Sequence, residues 1–190
     1  MDNKLKTINY LGKNFTNSYT MHELSKILKI PYASFYRTIK EMKDLIIIKT
    51  VGKSKTIQLN TKNLVTKAHL TVSSDEEKKE FLDRQPIIKK ISNELNTKSA
   101  VLIFGSYAKA KETEKSDIDI LVINKEGKKD ISFSKYELLF KKRINPVFIA
   151  TKEFKKMLQT EDENLGKQAL RNHIILNNPE EFWRNVFDAI

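Results

Sequence analysis

Two neighbouring stretches decide the fold of this chain: VLIFGSYA at residues 101–108 and SDIDILVI at residues 116–123. Each contains an apolar run rich in Val and Ile, which predicts two adjacent buried strands. The first run ends in Gly105 and Ser106, a pair that can turn backbone N–H groups toward an anion. The sequence therefore predicts a phosphate cradle at the end of a buried strand.

Two aspartates open the second run. Asp117 and Asp119 are one residue apart, so their side chains leave the same face of a strand, because side chains alternate along it. Carboxylate oxygens are ligands that magnesium prefers in proteins, and magnesium often binds together with substrate phosphates. Two carboxylates facing a phosphate cradle therefore predict a site for magnesium and a nucleoside triphosphate.

The composition excludes several classes of protein. The chain has 190 residues and no cysteine, which excludes a disulfide framework and a thiolate metal site. No apolar run approaches the roughly 18 residues that a membrane span requires. The first residues lack the apolar segment of a signal peptide. We therefore expect a cytoplasmic protein of one to two domains without a membrane partner.

The positive charge is concentrated in the N-terminal third. Residues 1–72 contain 13 Lys and Arg against 4 Asp and Glu, whereas residues 73–190 contain 22 against 20. A concentrated basic module indicates a polyanion partner, most simply nucleic acid, with binding that weakens in salt. The alternative is a lysine-rich composition that only maintains solubility.

Local signals predict three helices and a hairpin in this basic third. Residues 2–13 have helical periodicity, and Thr20 with Glu23 forms a capping box before a second helix. Pro31 suits the first turn of a third helix. Two strands, at residues 45–49 and 56–59, flank a turn at Gly52. The apolar spacing of the third helix predicts that three of its residues point inward: Phe35, Ile39 and Met42.

Residues 1 to about 60 resemble the winged-helix family of prokaryotic transcription factors, through MHELSKIL at residues 21–28, PYASFYRTI at residues 31–39 and the wing at Gly52. The resemblance implies that DNA is the partner. The outward side of the third helix is expected to include Thr38. The expected DNA contacts are Tyr32, Ser34, Arg37, Lys40, Lys53 and Lys55. A homodimer would suit two DNA half-sites, and the alternative is a module for protein contacts or dimerisation.

The remaining elements give the expected domain organisation. Polar residues 61–73 predict a linker, and Ser74 is the expected N-cap of a connecting helix. Strands alternate with helices from residue 100 onward, and a further helix is expected to include residues 165–176. Trp183 is expected in the core of a last helix. We predict an α+β protein with a winged helix-turn-helix at residues 1–62, a connecting segment at 63–98, and a small mixed-sheet domain with C-terminal helices at 99–190.

The Gly-Ser and Ser-Asp-x-Asp elements together resemble the minimal nucleotidyltransferase family of the polymerase-beta-like superfamily, over residues 80 to about 160. The resemblance implies transfer of a nucleoside monophosphate from an NTP, with Mg²⁺ as cofactor. It implies that Asp117 and Asp119 are the catalytic metal ligands. Gly105, Ser106 and Lys109 would bind the nucleotide, through close backbone approach, a hydroxyl and a positive charge.

Three departures from the family pattern bear on activity. Ala110 stands where the family has Gly, and Lys109 stands where it favours Arg. The third strand, at residues 144–149, contains no acid where the family often has a third carboxylate. Asn145 and Glu153 are the nearest substitutes, and both are expected to be poor ones. Loss of a general base typically costs ~10²–10⁴-fold in rate.

Two functions follow from these observations. The first is a magnesium-dependent nucleotidyltransferase that acts on an unknown acceptor and carries a DNA-binding winged helix. The alternative is a DNA-binding transcriptional regulator whose second domain binds nucleotide, or a partner, without turnover.

Overall fold

The structure is a computed structural model that describes residues 1–52 and 54–190, so the DNA contact predicted for Lys53 lies outside the described residues. The chain forms two compact units, Met1–Ser73 and Ser74–Ile190. The division falls inside the segment that was predicted to connect two domains. Within the described residues, no helix is both long enough and apolar enough to cross a membrane.

The N-terminal unit consists of helices and a small antiparallel sheet. Its elements are α1 (Asn3–Lys13), β1 (Tyr19–Thr20), α2 (Met21–Ile27), α3 (Tyr32–Glu41), β2 (Ile46–Val51), β3 (Ser54–Leu59) and the first part of α4 (Leu64–Leu82). The sheet has the order β1-β3-β2. Strands β2 and β3 form a hairpin whose last pair is Val51 with Ser54.

Local sequence signals account for the helices of this unit. The predicted capping box is confirmed: the Glu23 backbone N–H donates to Thr20 Oγ1 at 3.1 Å, and the Thr20 backbone N–H donates to Glu23 Oε2 at 2.8 Å. The inward side of α3 is confirmed as well, because Phe35, Ile39 and Met42 are at most 1% exposed. Burial of this apolar stripe positions the opposite side of α3 toward solvent.

Two sequence predictions in this region are wrong. Residues 64–73 belong to α4 rather than to a linker, and Ser74 is buried inside that helix rather than at its N-cap. The buried side of α4 includes Ser73, whose hydroxyl donates to the Leu70 carbonyl at 2.9 Å, so hydroxyl-bearing residues hide the apolar periodicity. Thr38 is buried rather than outward, and its hydroxyl donates to the Ser34 carbonyl at 3.1 Å.

The C-terminal unit is a four-stranded mixed sheet with helices. After α4 its elements are α5 (Pro86–Asn93), β4 (Ala100–Ile103), α6 (Gly105–Ala108), β5 (Ile118–Asn124), α7 (Ser134–Phe140), β6 (Ile144–Ala150), α8 (Thr151–Gln159), α9 (Leu165–Arg171), β7 (Ile174–Asn177) and α10 (Pro179–Phe187). The sheet order is β6-β5-β4-β7. Strands β5 and β6 are parallel, and the other pairs are antiparallel. This agrees with the predicted α+β class with a small mixed sheet.

Both faces of this sheet are buried, which explains the nearly continuous apolar runs. On one face Val101, Ile120 and Val122 belong to a cluster that includes residues of α5 and α7. The alternate residues of β4 and β5 face the side on which α8 and α10 contact the sheet. Trp183 is fully buried in α10, as predicted, and its indole N–H donates to Ser74 Oγ at 2.9 Å.

The region after α9 differs from the prediction of one long helix over residues 165–176. Helix α9 ends at Arg171, and Ile174–Asn177 forms strand β7, which pairs with β4. A short apolar run fits a buried helix or a buried strand equally well, and the available edge of β4 decides in favour of the strand. At the opposite edge of the sheet lies β6, which contains Pro146.

Candidate active site

The predicted site residues meet where β4 ends and β5 and β6 begin. In the parallel β5–β6 register, Asp119 is opposite Asn145 and Ile118 is opposite Ile144. In the antiparallel β4–β5 register, Ile103 is opposite Ile120. The turn after β4 therefore reaches the level of Asp119, and the parallel pairing brings the start of β6 to the same point.

Gly105 lies directly against the Asp119 side chain. Its φ angle is +69°, a region that favours glycine. A Cβ atom there would overlap Asp119 Oδ2 and lie 3.1 Å from Asp119 Cγ. The preceding Phe104 N–H donates to the Asp119 carbonyl at 3.1 Å, which holds the turn on β5. Both the backbone angle and the close approach therefore require glycine at this position.

The two carboxylates converge on one amide group. Asn145 Nδ2 donates to Asp117 Oδ2 at 3.2 Å and to Asp119 Oδ1 at 3.4 Å. A single atom thus contacts both acids, so their oxygens face a common point. All three side chains are half-buried, which leaves the site accessible from solvent.

Arg143 is a neighbour of the site that the sequence marks only as the end of the basic run Lys141-Lys142-Arg143, which fits a solvated helix end or a contact with an acceptor nucleic acid. Its Nε lies 3.8 Å from Asp117 Oδ2, and its side chain is 74% exposed. Its backbone carbonyl accepts from the Ile118 N–H at 3.0 Å, so the parallel pairing extends to Arg143 and Asp117. The sequence signal is the position of the two residues. Asp117 immediately precedes β5 and Arg143 immediately precedes β6, and these two strands pair in parallel.

The short helix α6 carries the residues predicted to bind nucleotide. Gly105 and Ser106 begin α6, and Lys109 follows its end with an exposed side chain. The Ser106 carbonyl accepts from the N–H groups of Lys109 at 3.2 Å and Lys111 at 3.0 Å, which closes a tight loop. Ala110 in this loop has φ +51°, a left-handed conformation that costs roughly 1–2 kcal/mol for a residue with a Cβ.

The donor set fits magnesium, although it differs from a three-acid site. Asp117 and Asp119 offer carboxylate oxygens, and rotation of the Asn145 amide would present its oxygen to the same point. Within residues 1–52 and 54–190, no group of three or more Asp, Glu, His or Cys side chains is arranged to hold a metal ion. Glu153 lies in the first turn of α8, which follows the other end of β6. Asn145 therefore lies beside the two aspartates, where its amide oxygen would be a neutral ligand.

The residues predicted to contact DNA lie in the N-terminal unit. Tyr32, Arg37 and Lys40 are exposed on α3, and Lys55 is exposed on β3. Ser34 differs, because it is half-buried and its Oγ accepts from Asn3 Nδ2 at 3.3 Å. Its hydroxyl is thus engaged with α1.

Comparison with known proteins gives one match. A family model described as polymerase beta, nucleotidyltransferase, matches residues 87–181, which is half of the chain and contains the whole site described above. No curated protein and no solved structure matches the chain. The resemblance inferred from the Gly-Ser and Ser-Asp-x-Asp elements is confirmed by this match. The chain belongs to the polymerase beta nucleotidyltransferase family.

Proposed function

We propose that the protein is a magnesium-dependent nucleotidyltransferase that moves a nucleoside monophosphate from an NTP to an acceptor. The observation that carries this proposal is the convergence of Asp117 and Asp119 on one point beside the Gly105 turn. Membership of the nucleotidyltransferase family supports the reaction class.

Each site residue has a role in this reaction. Asp117 and Asp119 would hold magnesium, which when bound neutralises charge on the phosphates. Gly105 allows the backbone to approach the triphosphate closely, and the Ser106 hydroxyl can donate to a β- or γ-phosphate oxygen. Lys109, exposed after α6, adds positive charge for the same phosphates.

The test of this proposal is aspartate-dependent transfer. The protein is incubated with labelled NTPs and Mg²⁺ in the presence of candidate acceptors, and the label on the acceptor is measured. Asp119→Ala is expected to reduce the rate by ~10²-fold or more, because a ligand of the catalytic cation is lost. Asp162→Ala, at an exposed acid between α8 and α9, is the matched control. Equal transfer by both variants would contradict the proposal.

The N-terminal unit supports a DNA-binding role. Its three helices and β2–β3 hairpin have the order of elements of a winged helix, with α3 as the recognition helix. Arg37 is exposed on α3 and can reach a base edge, whereas Tyr32, Lys40 and Lys55 can contact phosphates. The 13 basic residues against 4 acidic ones favour a polyanionic partner.

A second candidate function is favoured by the amide of Asn145. An amide cannot accept a proton from an attacking hydroxyl. In this second function the domain binds nucleotide without turnover while the N-terminal unit regulates transcription. The discriminating measurement is NTP binding by isothermal titration calorimetry beside the transfer assay. Asp119-dependent binding without transfer to any acceptor would favour the regulator over the enzyme.

A further inference from the structure

The third position of the site determines which acceptor can react. Asn145 lies opposite Asp119 in the β5–β6 register and contacts both aspartates. An acid there would serve as a base for a hydroxyl acceptor, whereas the amide is neutral and takes no proton at physiological pH. No third Asp, Glu or His of the described residues joins the pair in a metal-binding group. The acceptor that suits this site therefore has a nucleophile that is already ionised.

Charge at the site favours the same kind of acceptor. Replacement of a carboxylate by an amide removes one negative charge beside the reacting atoms, which lowers the repulsion of an anionic nucleophile. Arg143, 74% exposed and 3.8 Å from Asp117, adds a guanidinium that can bind phosphate oxygens in a bidentate manner.

Lys142, the residue before Arg143, is held in place by two contacts. Lys142 Nζ donates to the Glu114 carbonyl at 2.6 Å and lies 5.9 Å from the centre of the Tyr107 ring. These contacts join the segment before β6 to α6 and to the loop that leads into β5. The cationic side of the site is thus attached to the same loop that carries Asp117.

From these observations we infer that the acceptor is a phosphate monoester, an inference that rests on the proposed nucleotidyltransferase function. A terminal phosphate oxygen attacks the α-phosphorus of the NTP, and a new P–O bond forms. The bond between the α-phosphorus and the α–β bridging oxygen breaks, and pyrophosphate leaves. The nucleophile carries no proton at neutral pH, so the step needs no protein base. Asn145 and Arg143 set the acceptor specificity.

The experiment compares matched acceptors with labelled NTPs and Mg²⁺. One pair is an oligonucleotide with a 5′-phosphate or a 5′-hydroxyl, and the other is a sugar phosphate with its parent sugar. We expect transfer to the phosphorylated member of at least one pair at a rate ~10²-fold or more above the hydroxyl member. The two pairs distinguish a nucleic-acid end from a small metabolite as the source of the phosphate.

Variants separate the contribution of Asn145 from that of Arg143. Asn145→Asp restores a third acid and is expected to raise transfer to hydroxyl acceptors while lowering transfer to phosphates. Arg143→Gln is expected to weaken binding of the phosphorylated acceptor several-fold in the absence of NTP, measured by calorimetry or fluorescence anisotropy. Arg184→Gln is the control, because Arg184 lies on α10 and lines a groove at the other end of β4 and β5.

The outcomes are distinguishable. Preference for phosphorylated acceptors, reversed or reduced by Asn145→Asp, supports the inference. Asp119-dependent transfer that favours hydroxyl acceptors overturns the inference and leaves the proposed function intact. Absence of Asp119-dependent transfer to every acceptor overturns the proposed function and, with it, this inference.

Discussion

The two units of this chain use charge in opposite ways. The unit Met1–Ser73 carries 13 basic residues against 4 acidic ones, and several of its cations are exposed on α3 and β3. The unit Ser74–Ile190 is nearly balanced, with 22 against 20, yet alternation along one strand brings two acids to one point, and the β5–β6 register adds Asn145 to them. Binding by the first unit should depend on the sum of many charges, whereas chemistry in the second should depend on a few positions.

The largest expected effect comes from comparing one glycine substitution in each unit. Gly105→Ala and Gly52→Ala both add a Cβ at positive φ, +69° and +60°, but only the first meets other atoms within 4 Å. We expect Gly52→Ala to destabilise its unit by about 1–2 kcal/mol. Gly105→Ala should add displacement of the Asp119 carboxylate and reduce transfer by ~10²-fold or more.

The measurements for this pair are thermal unfolding and the labelled-NTP transfer assay. Gly52→Ala should leave the transfer rate per folded molecule unchanged, because Gly52 belongs to the other unit. Equal transfer rates for Gly105→Ala and the unmodified chain would show that the close approach to Asp119 is not required.

The next effect concerns the basic unit. Arg37→Ala is expected to weaken duplex DNA binding by about 1–3 kcal/mol if Arg37 reads a base edge, with reduced discrimination between sequences. Lys62→Ala, at an exposed lysine before α4, is the control and should cause a smaller, sequence-independent loss. Fluorescence anisotropy at several salt concentrations provides the measurement. Identical affinities for Arg37→Ala and the unmodified chain would contradict the assignment of α3 as the recognition helix.

A smaller effect of opposite sign is expected at Ala110. Its φ of +51° is unfavourable for a residue with a Cβ, and glycine removes that penalty. Ala110→Gly is therefore expected to stabilise the C-terminal unit by about 1 kcal/mol, reduced somewhat by the greater entropy of the unfolded chain. Chemical denaturation measures the change. Ala108→Gly, at the last residue of α6, is the control and should destabilise instead.

The smallest effect is pH-dependent and lies away from the site. Hydrogen bonds from Lys135, at 2.8 Å, and from Lys90 and Tyr136 lower the pKa of Glu94 from its ordinary value of 4.5 to about 2. A lowered folded-state pKa contributes stability above pH 4.5, and this contribution is lost as the pH falls toward 2.

The corresponding variant is Glu94→Gln. We expect the midpoint of thermal unfolding to decrease at pH 7, and only by a small amount because the exposed group is screened by solvent. The decrease should shrink as the pH approaches 2, because Glu94 itself becomes protonated there. Lys128, which pairs with Glu126 on an exposed turn, offers the control variant Lys128→Gln. A Glu94→Gln effect that is independent of pH would contradict the role of the carboxylate charge.

Features carried by adjacent residues could be predicted from the sequence. The Thr20–Glu23 capping box and the inward side of α3 depend on spacing within one helix, and the Asp117–Asp119 pair depends on alternation within one strand. Each needs only a single periodicity, so the sequence contains the whole signal.

Features that depend on pairing between distant segments could not be predicted. The family resemblance could name Asn145 as a substitute for the third acid. Its contacts with both aspartates, and the contact of Arg143 with Asp117, follow from the parallel register of β5 and β6, which no local pattern specifies. Strand β7 was predicted as helix, because its short apolar run fits either structure and only its pairing with the edge of β4 makes it a strand. In α4, buried hydroxyls such as that of Ser73 replaced the apolar residues that periodicity detects.

Pro146 has a consequence for the behaviour of the protein at high concentration. An edge strand displays unpaired N–H and C=O groups, to which a second chain can add and so begin aggregation. β6 is such an edge, and Pro146 has no N–H, so the row of donors along it is interrupted. Because Pro146 follows Asn145 directly, the interruption lies at the end of the sheet where the active site opens. The same strand that completes the site therefore resists intermolecular β-sheet growth at that end.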